Sequence, residues 1–200
     1  MRRAISVLTV FVLGAAVVVA AQQTKPAAPA APKSVSMTAS GPITISIKSA
    51  FNEVKDYVLR SASMVTDQEY AFKPAGVPAD VRSYGQLLGH IANANYLFCG
   101  AAMGAATQGE RGPGGANAED IKTKVEMGKA LAASFAYCDK AFNAVNDHNG
   151  GEPITTLPIG DTTKLGALAF NNAHIFEHYG NIVTYLRAMG KVPPSSQPGR

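Results

Sequence analysis

Apolar residues recur at spacings of three and four through four separate segments of this chain, and hardly anywhere at a spacing of two. That periodicity restricts the fold to helices that each bury one stripe against the others. The first segment covers about residues 43–65, with Ile47, Phe51, Val54, Val58, Ala62 and Val65 as its stripe and Lys48, Glu53, Lys55, Asp56 and Arg60 between them. A short extra turn is expected at Thr66-Asp67-Gln68-Glu69, which has the form of a capping box. A second box, Ser83-Tyr84-Gly85-Gln86, opens a helix that places Leu87, His90, Ile91, Ala94 and Phe98 on one face. The third helix is expected from an Asn117 cap to about Asp147, with Ile121, Val125, Gly128, Leu131, Phe135, Cys138, Phe142 and Val145 buried. Asn149-Gly150-Gly151 stops it, and Asp161 or Thr162 caps a fourth helix that runs to Met189, ahead of Gly190 and Pro193-Pro194. Only Ile154 to Pro158 suits a strand. The chain is therefore expected to be all-α, a four-helix bundle with a long Gly-rich connection between its second and third helices.

The N-terminus has a different character. Arg2 and Arg3 precede the apolar run AISVLTVFVLGAAVVVA, which closes in small residues before Gln22. A positive start, an apolar core and a V-x-A end predict a signal peptide over residues 1–21, cut after Ala20 or Ala21. An uncleaved anchor helix is the competing reading, because the run approaches the lower length limit of a membrane span. Residues 22–42 are Ala/Pro-rich without apolar periodicity, as a linker would be, and leave 43–196 as the folded domain. Export to a periplasmic or extracellular compartment is the expectation, with no stable membrane insertion after cleavage.

The formal charge of +4 includes Arg2 and Arg3, and the remaining cations are scattered singly. Nucleic-acid binding, which needs a clustered basic face, is disfavoured. The expected partners are a small-molecule substrate and, in a homodimer, a second copy of the chain.

Candidate chemistry sits on the fourth helix. His174 and His178 are four residues apart and share a face, where two imidazoles can hold one metal ion. A pair alone is as readily satisfied by backbone or water. His90, inward on the second helix, makes a three-histidine site conceivable. The run His174-Ile175-Phe176-Glu177-His178 also matches the inverted zinc-peptidase signature H-x-x-E-H. Such enzymes take a further carboxylate ligand from well downstream, and no Asp or Glu follows His178. Glu177 is read as a surface carboxylate, and His148, in a helix-ending loop, as a surface histidine. Asn171 and Asn181, each three residues from a histidine, are candidates for orienting substrate or water.

The chain resembles the DinB/YfiT-like family of four-helix-bundle metalloproteins. The residues that carry the resemblance are Arg82-Ser83 with Leu87-Leu88-Gly89-His90, then His174 and Glu177-His178-Tyr179-Gly180, leading to Tyr185-Leu186-Arg187 and Gly190-Lys191-Val192-Pro193-Pro194. The resemblance implies an up-down-down-up bundle with a divalent metal held by His90, His174 and His178. Zinc, nickel, iron and manganese all suit such ligands. Three neutral imidazoles leave the ion its full charge and an open position, which suits a small metalloenzyme of hydrolase or transferase type. A noncatalytic metal-binding or stress-associated protein is the alternative, and Tyr96, Tyr179 or Tyr185 lining a pocket beside the metal would favour the enzyme. Members of the family include thiol S-transferases and a thiol-dependent isomerase. If the second and third helices run parallel, as the resemblance implies, Cys99 and Cys138 differ by about 7 Å in depth counted from Ser83 and Asn117. A modest stagger would level them, so a Cys99–Cys138 disulfide is expected, against the alternative of two buried free thiols.

Overall fold

The computed structural model describes residues 41–105 and 109–197; the expected signal segment and nearly all of the linker lie outside the described residues. Four helices carry the chain: α1 Pro42–Ser63, α2 Tyr84–Ala102, α3 Lys124–Ala144 and α4 Lys164–Ala188. A pair of two-residue strands, β1 Pro153–Ile154 and β2 Thr162–Thr163, closes the loop before α4 in antiparallel register. Among the described residues no helix is long and apolar enough to cross a membrane.

Each helix starts where a side chain can satisfy its free N–H groups. Ser83 and Gln86 bond each other's backbone at the start of α2, Thr123 caps α3 and Thr163 caps α4. The start of α1 is held from far along the chain, by Asp147 accepting from the Ile43 and Thr44 amides at 3.0 and 2.7 Å. Thr66 and Glu69 form the expected reciprocal box at the short turn Gln68–Ala71.

Contacts along the helices fix their directions. Lys48 reaches Asn143 and Lys55 reaches Asp139, so α1 and α3 are antiparallel. Asn95 bonds Ser134 and Cys99 is bonded to Cys138, so α2 and α3 are parallel. Phe98 packs on Phe170 while His90 meets His174, which sets α4 antiparallel to α2. Asn172 donates to the Ile47 carbonyl and Tyr179 stacks on Tyr57, which sets α4 parallel to α1. The topology is up-down-down-up, as the family resemblance implied.

The core is apolar, with Phe51 wedged between Phe135 and Phe142 at ring separations of 5.8 and 4.7 Å. One buried polar line crosses it. Ser134 of α3, Asn95 of α2 and Asn171 of α4 are hydrogen-bonded in series, at 3.1 and 2.9 Å, and are all fully buried. Sliding any of these helices along its neighbour would strand a buried amide, so the line pins their register. Within α2, only Gln86 and Tyr96 escape burial. A helix covered on nearly all sides is the innermost element of the bundle.

The third helix departs from expectation. Asn117 caps a separate turn, Ala118–Asp120, and α3 begins only at Lys124. The break resets the helical phase, so Ile121 is not on the α3 stripe and Val125, about 120° from Leu131 at 100° per residue, is 65% exposed. Met127 takes the buried place instead. The later start also levels the cysteines. Cys99 lies sixteen residues after the Ser83 cap and Cys138 fifteen after the Thr123 cap. The two are joined in a disulfide with a Cα separation of 5.2 Å.

Candidate metal centre

His90 is placed by α2 between Gly89 and Ile91, and it is only 6% exposed. His174 and His178 come from successive turns of α4 and are half-buried. Because α2 and α4 are adjacent and antiparallel, all three rings meet at one level. The Nε2 atom of His174 is 3.2 Å from that of His90 and 3.0 Å from that of His178. The structure thus brings together the three histidines singled out in the sequence, within a 4.8 Å sphere of ligand atoms.

The arrangement fits a divalent ion. Nitrogens each about 2.0–2.1 Å from a tetrahedral metal are separated by roughly 3.3 Å, close to the spacing found. Imidazoles that face one another through Nε2 also need something electrophilic between their lone pairs, since a neutral ring has one proton to give. Burial, and then the neighbouring imidazoles, push His174 down to about 3 and His178 down to about 4. Both are therefore neutral, and able to act as ligands, over the whole physiological range. Their Nδ1 atoms are buried without a hydrogen-bond partner.

The Nδ1 side of His90 is different. It lies 3.2 Å from Glu110 Oε2 and 3.3 Å from Glu119 Oε1, within ion-pair distance of both although aligned with neither as a straight hydrogen bond. Asn93, Arg111, Glu110 and Glu119 line a polar pocket of about 390 Å³ on this side. Neither glutamate stood out in the sequence, because both lie in the Gly-rich stretch where no periodicity shows which side chains turn inward.

Other candidates go elsewhere. Asn171 points into the core, donating to Asn95 with its Nδ2 at 3.6 and 3.7 Å from the Cys99 and Cys138 sulfurs. Asn181 is exposed and reaches back to the Glu177 carbonyl. Neither is hydrogen-bonded to the site histidines among the described residues. Tyr96 packs on Tyr137, Tyr179 stacks on Tyr57 and bonds Ser195, and the Tyr185 hydroxyl donates to the Arg82 carbonyl. Glu177 and His148 are exposed, as expected.

Comparison with known proteins agrees with the helical fold. A family model described as the DinB superfamily matches residues 50–182. A crystal structure of a DinB-like protein from Bacillus subtilis superimposes with a TM-score of 0.58 at 19% identity, covering 77% of this chain and 99% of that one. A mycothiol-dependent maleylpyruvate isomerase superimposes with a TM-score of 0.55 at 15% identity, covering 70% of this chain and 60% of that one. No curated protein matches the sequence.

Proposed function

The chain belongs to the DinB superfamily, and from that premise we propose that it is an exported metal-binding protein, a small metalloenzyme of hydrolase or transferase type. His90, His174 and His178 are its ligands. The observation that carries the reading is the meeting of three imidazoles from two antiparallel helices, with His174 Nε2 at 3.2 Å from that of His90 and 3.0 Å from that of His178 and the ligand atoms of all three within 4.8 Å of one another. An ion held there supplies Lewis acidity at whatever coordination positions the imidazoles leave open.

The protein's part is to hold the donors ready. Burial keeps His174 and His178 unprotonated, and packing within α2 leaves His90 little freedom to swing away. Export is supported by the N-terminal sequence and by the Cys99–Cys138 bond, which suits an oxidising compartment. The structurally similar isomerase is named for a thiol cofactor. Reduced thiol pools belong to the cytosol, so export favours a hydrolytic reaction over thiol transfer.

Metal analysis of mature protein purified without an affinity tag tests the proposal. About one divalent ion per chain is expected, and His90→Ala and His174→Ala should each abolish it. Variants that retain the wild-type content would refute the site. A noncatalytic metal-binding role is the second reading, favoured by the engagement of Tyr96, Tyr179 and Tyr185 away from the histidines. Metal that is bound but inert toward a panel of ester, amide and phosphoester substrates would support it.

A further inference from the structure

We infer that Glu119 is the positioning residue of this centre: it attracts the Nδ1–H of His90 as a hydrogen-bond acceptor and thereby fixes which nitrogen of that ring faces the metal. The inference rests on the metal-binding reading and deepens it.

A neutral imidazole carries one proton. With that proton on Nδ1, the Nε2 lone pair is free to face His174 and His178; with it on Nε2, the ring cannot ligate there. An acceptor on the Nδ1 side therefore decides whether His90 is a ligand, and an anionic acceptor also makes the ring a stronger donor. Two carboxylates lie within reach, Glu110 and Glu119. The ring has a single N–H to offer them.

The surroundings of Glu119 distinguish the two. The turn that carries it is fastened to α2 next to His90 on both sides. Gly89 lets the Ala118 carbonyl and the Glu119 amide approach so closely that a Cβ there would stand 2.4 and 2.6 Å from their atoms. Asn93, three residues after His90, accepts from the Ala118 amide at 3.0 Å and donates to the Asn117 side chain at 2.8 Å. Asn117 in turn accepts from the Glu119 amide at 3.1 Å. The second carboxylate oxygen, Oε2, is held by Arg82 Nε at 3.2 Å, leaving Oε1 directed at His90. Glu110 has no such fastening, and its side chain is 41% exposed against 21% for Glu119. Among the described residues a carboxylate lies within ion-pair distance of Nδ1 only at His90, so His90 is the ligand of the three with anionic support.

The test is a zinc titration against a competing chelator for wild type, Glu119→Ala, Glu119→Gln and Glu110→Gln. Loss of the outer partner of a metal-bound histidine weakens affinity by about 10–100-fold, and that is expected for Glu119→Ala. Glu119→Gln keeps an acceptor of the same shape without the charge, so its loss should be smaller, and it serves as the folded control if the alanine variant misfolds. Glu110→Gln should cost less than Glu119→Gln. Nitrogen-15 NMR of the zinc-loaded protein supplies a readout that a merely structural role would not move: His90 carries its proton on Nδ1 in wild type, with that N–H exchanging faster with solvent in Glu119→Ala. Zinc affinity within about twofold of wild type in both Glu119 variants, or a larger loss in Glu110→Gln, overturns the assignment while leaving the three-histidine site standing. A wild-type protein that binds no zinc overturns both.

Discussion

Gly89 lies directly beneath Ala118, with the place a Cβ would take only 2.4 Å from the Ala118 carbonyl oxygen. In a helix interior Ala normally stabilises relative to Gly by about 1 kcal/mol. Here the sign should reverse. Gly89→Ala must push the Ala118–Asp120 turn off α2, and a destabilisation of about 1–3 kcal/mol is expected from overpacking. Urea denaturation measures it. A variant as stable as wild type would show that the turn can move away freely.

Glu177 occupies the acidic position of the H-x-x-E-H run, yet its side chain faces solvent. Glu177→Gln should leave the metal content unchanged and shift the melting temperature by no more than a surface change does, within about 0.5 kcal/mol. Metal loss in that variant would revive a peptidase-like assignment.

Acid should destabilise the metal-free protein through its histidines. His174 and His178 are held down to about 3 and about 4 in the folded state, against an ordinary value of 6.5. Between those values the unfolded chain binds protons that the folded chain refuses, so this contribution to stability falls as pH drops from about 6.5 toward 3 and levels off below. The melting temperature of chelator-treated protein should be lower at pH 5 than at pH 7.5. Replacing both residues with Gln should flatten that difference; an equally steep profile in the double variant would assign it to other groups.

Denatured, unreduced mature protein should show no reactive thiol and, after reduction, two. The bond closes a separation of 39 residues, for which restriction of the unfolded chain stabilises by about 3–4 kcal/mol. Reduction should therefore lower the melting temperature by about 6–16 °C in a domain of this size. An unchanged melting temperature would mean that the buried sulfurs contribute to packing alone.

Much of this was legible from residue order, and the reasons are local. Ser83 with Gln86, and Thr66 with Glu69, wrote their caps into the sequence because the partners are three residues apart. His90, His174 and His178 stood out because helical spacing shows which side chains share a face. The start of α3 was misplaced because Asn117 is a sound cap that serves only a single turn, although Thr123-Lys124-Val125-Glu126, six residues on, has the form of a capping box and does cap the helix. Helix direction came from family resemblance rather than from periodicity, which is the same read up or down. Glu119 was invisible for a different reason: its place depends on Gly89 and Asn93, some thirty residues earlier, on another element.

The disulfide and the proposed metal crosslink are nested. A metal shared by His90 and His174 would close a stretch of 84 residues, and the Cys99–Cys138 loop of 39 residues lies wholly inside it. Once the sulfur bond exists, a path between the two histidines needs to traverse only about 45 residues, and loop closure becomes easier by about 0.5 kcal/mol. Oxidation and metal loading would thereby be coupled through chain topology, without any contact between sulfur and metal. The coupling is reciprocal, so a bound metal would ease closure of the disulfide by the same amount.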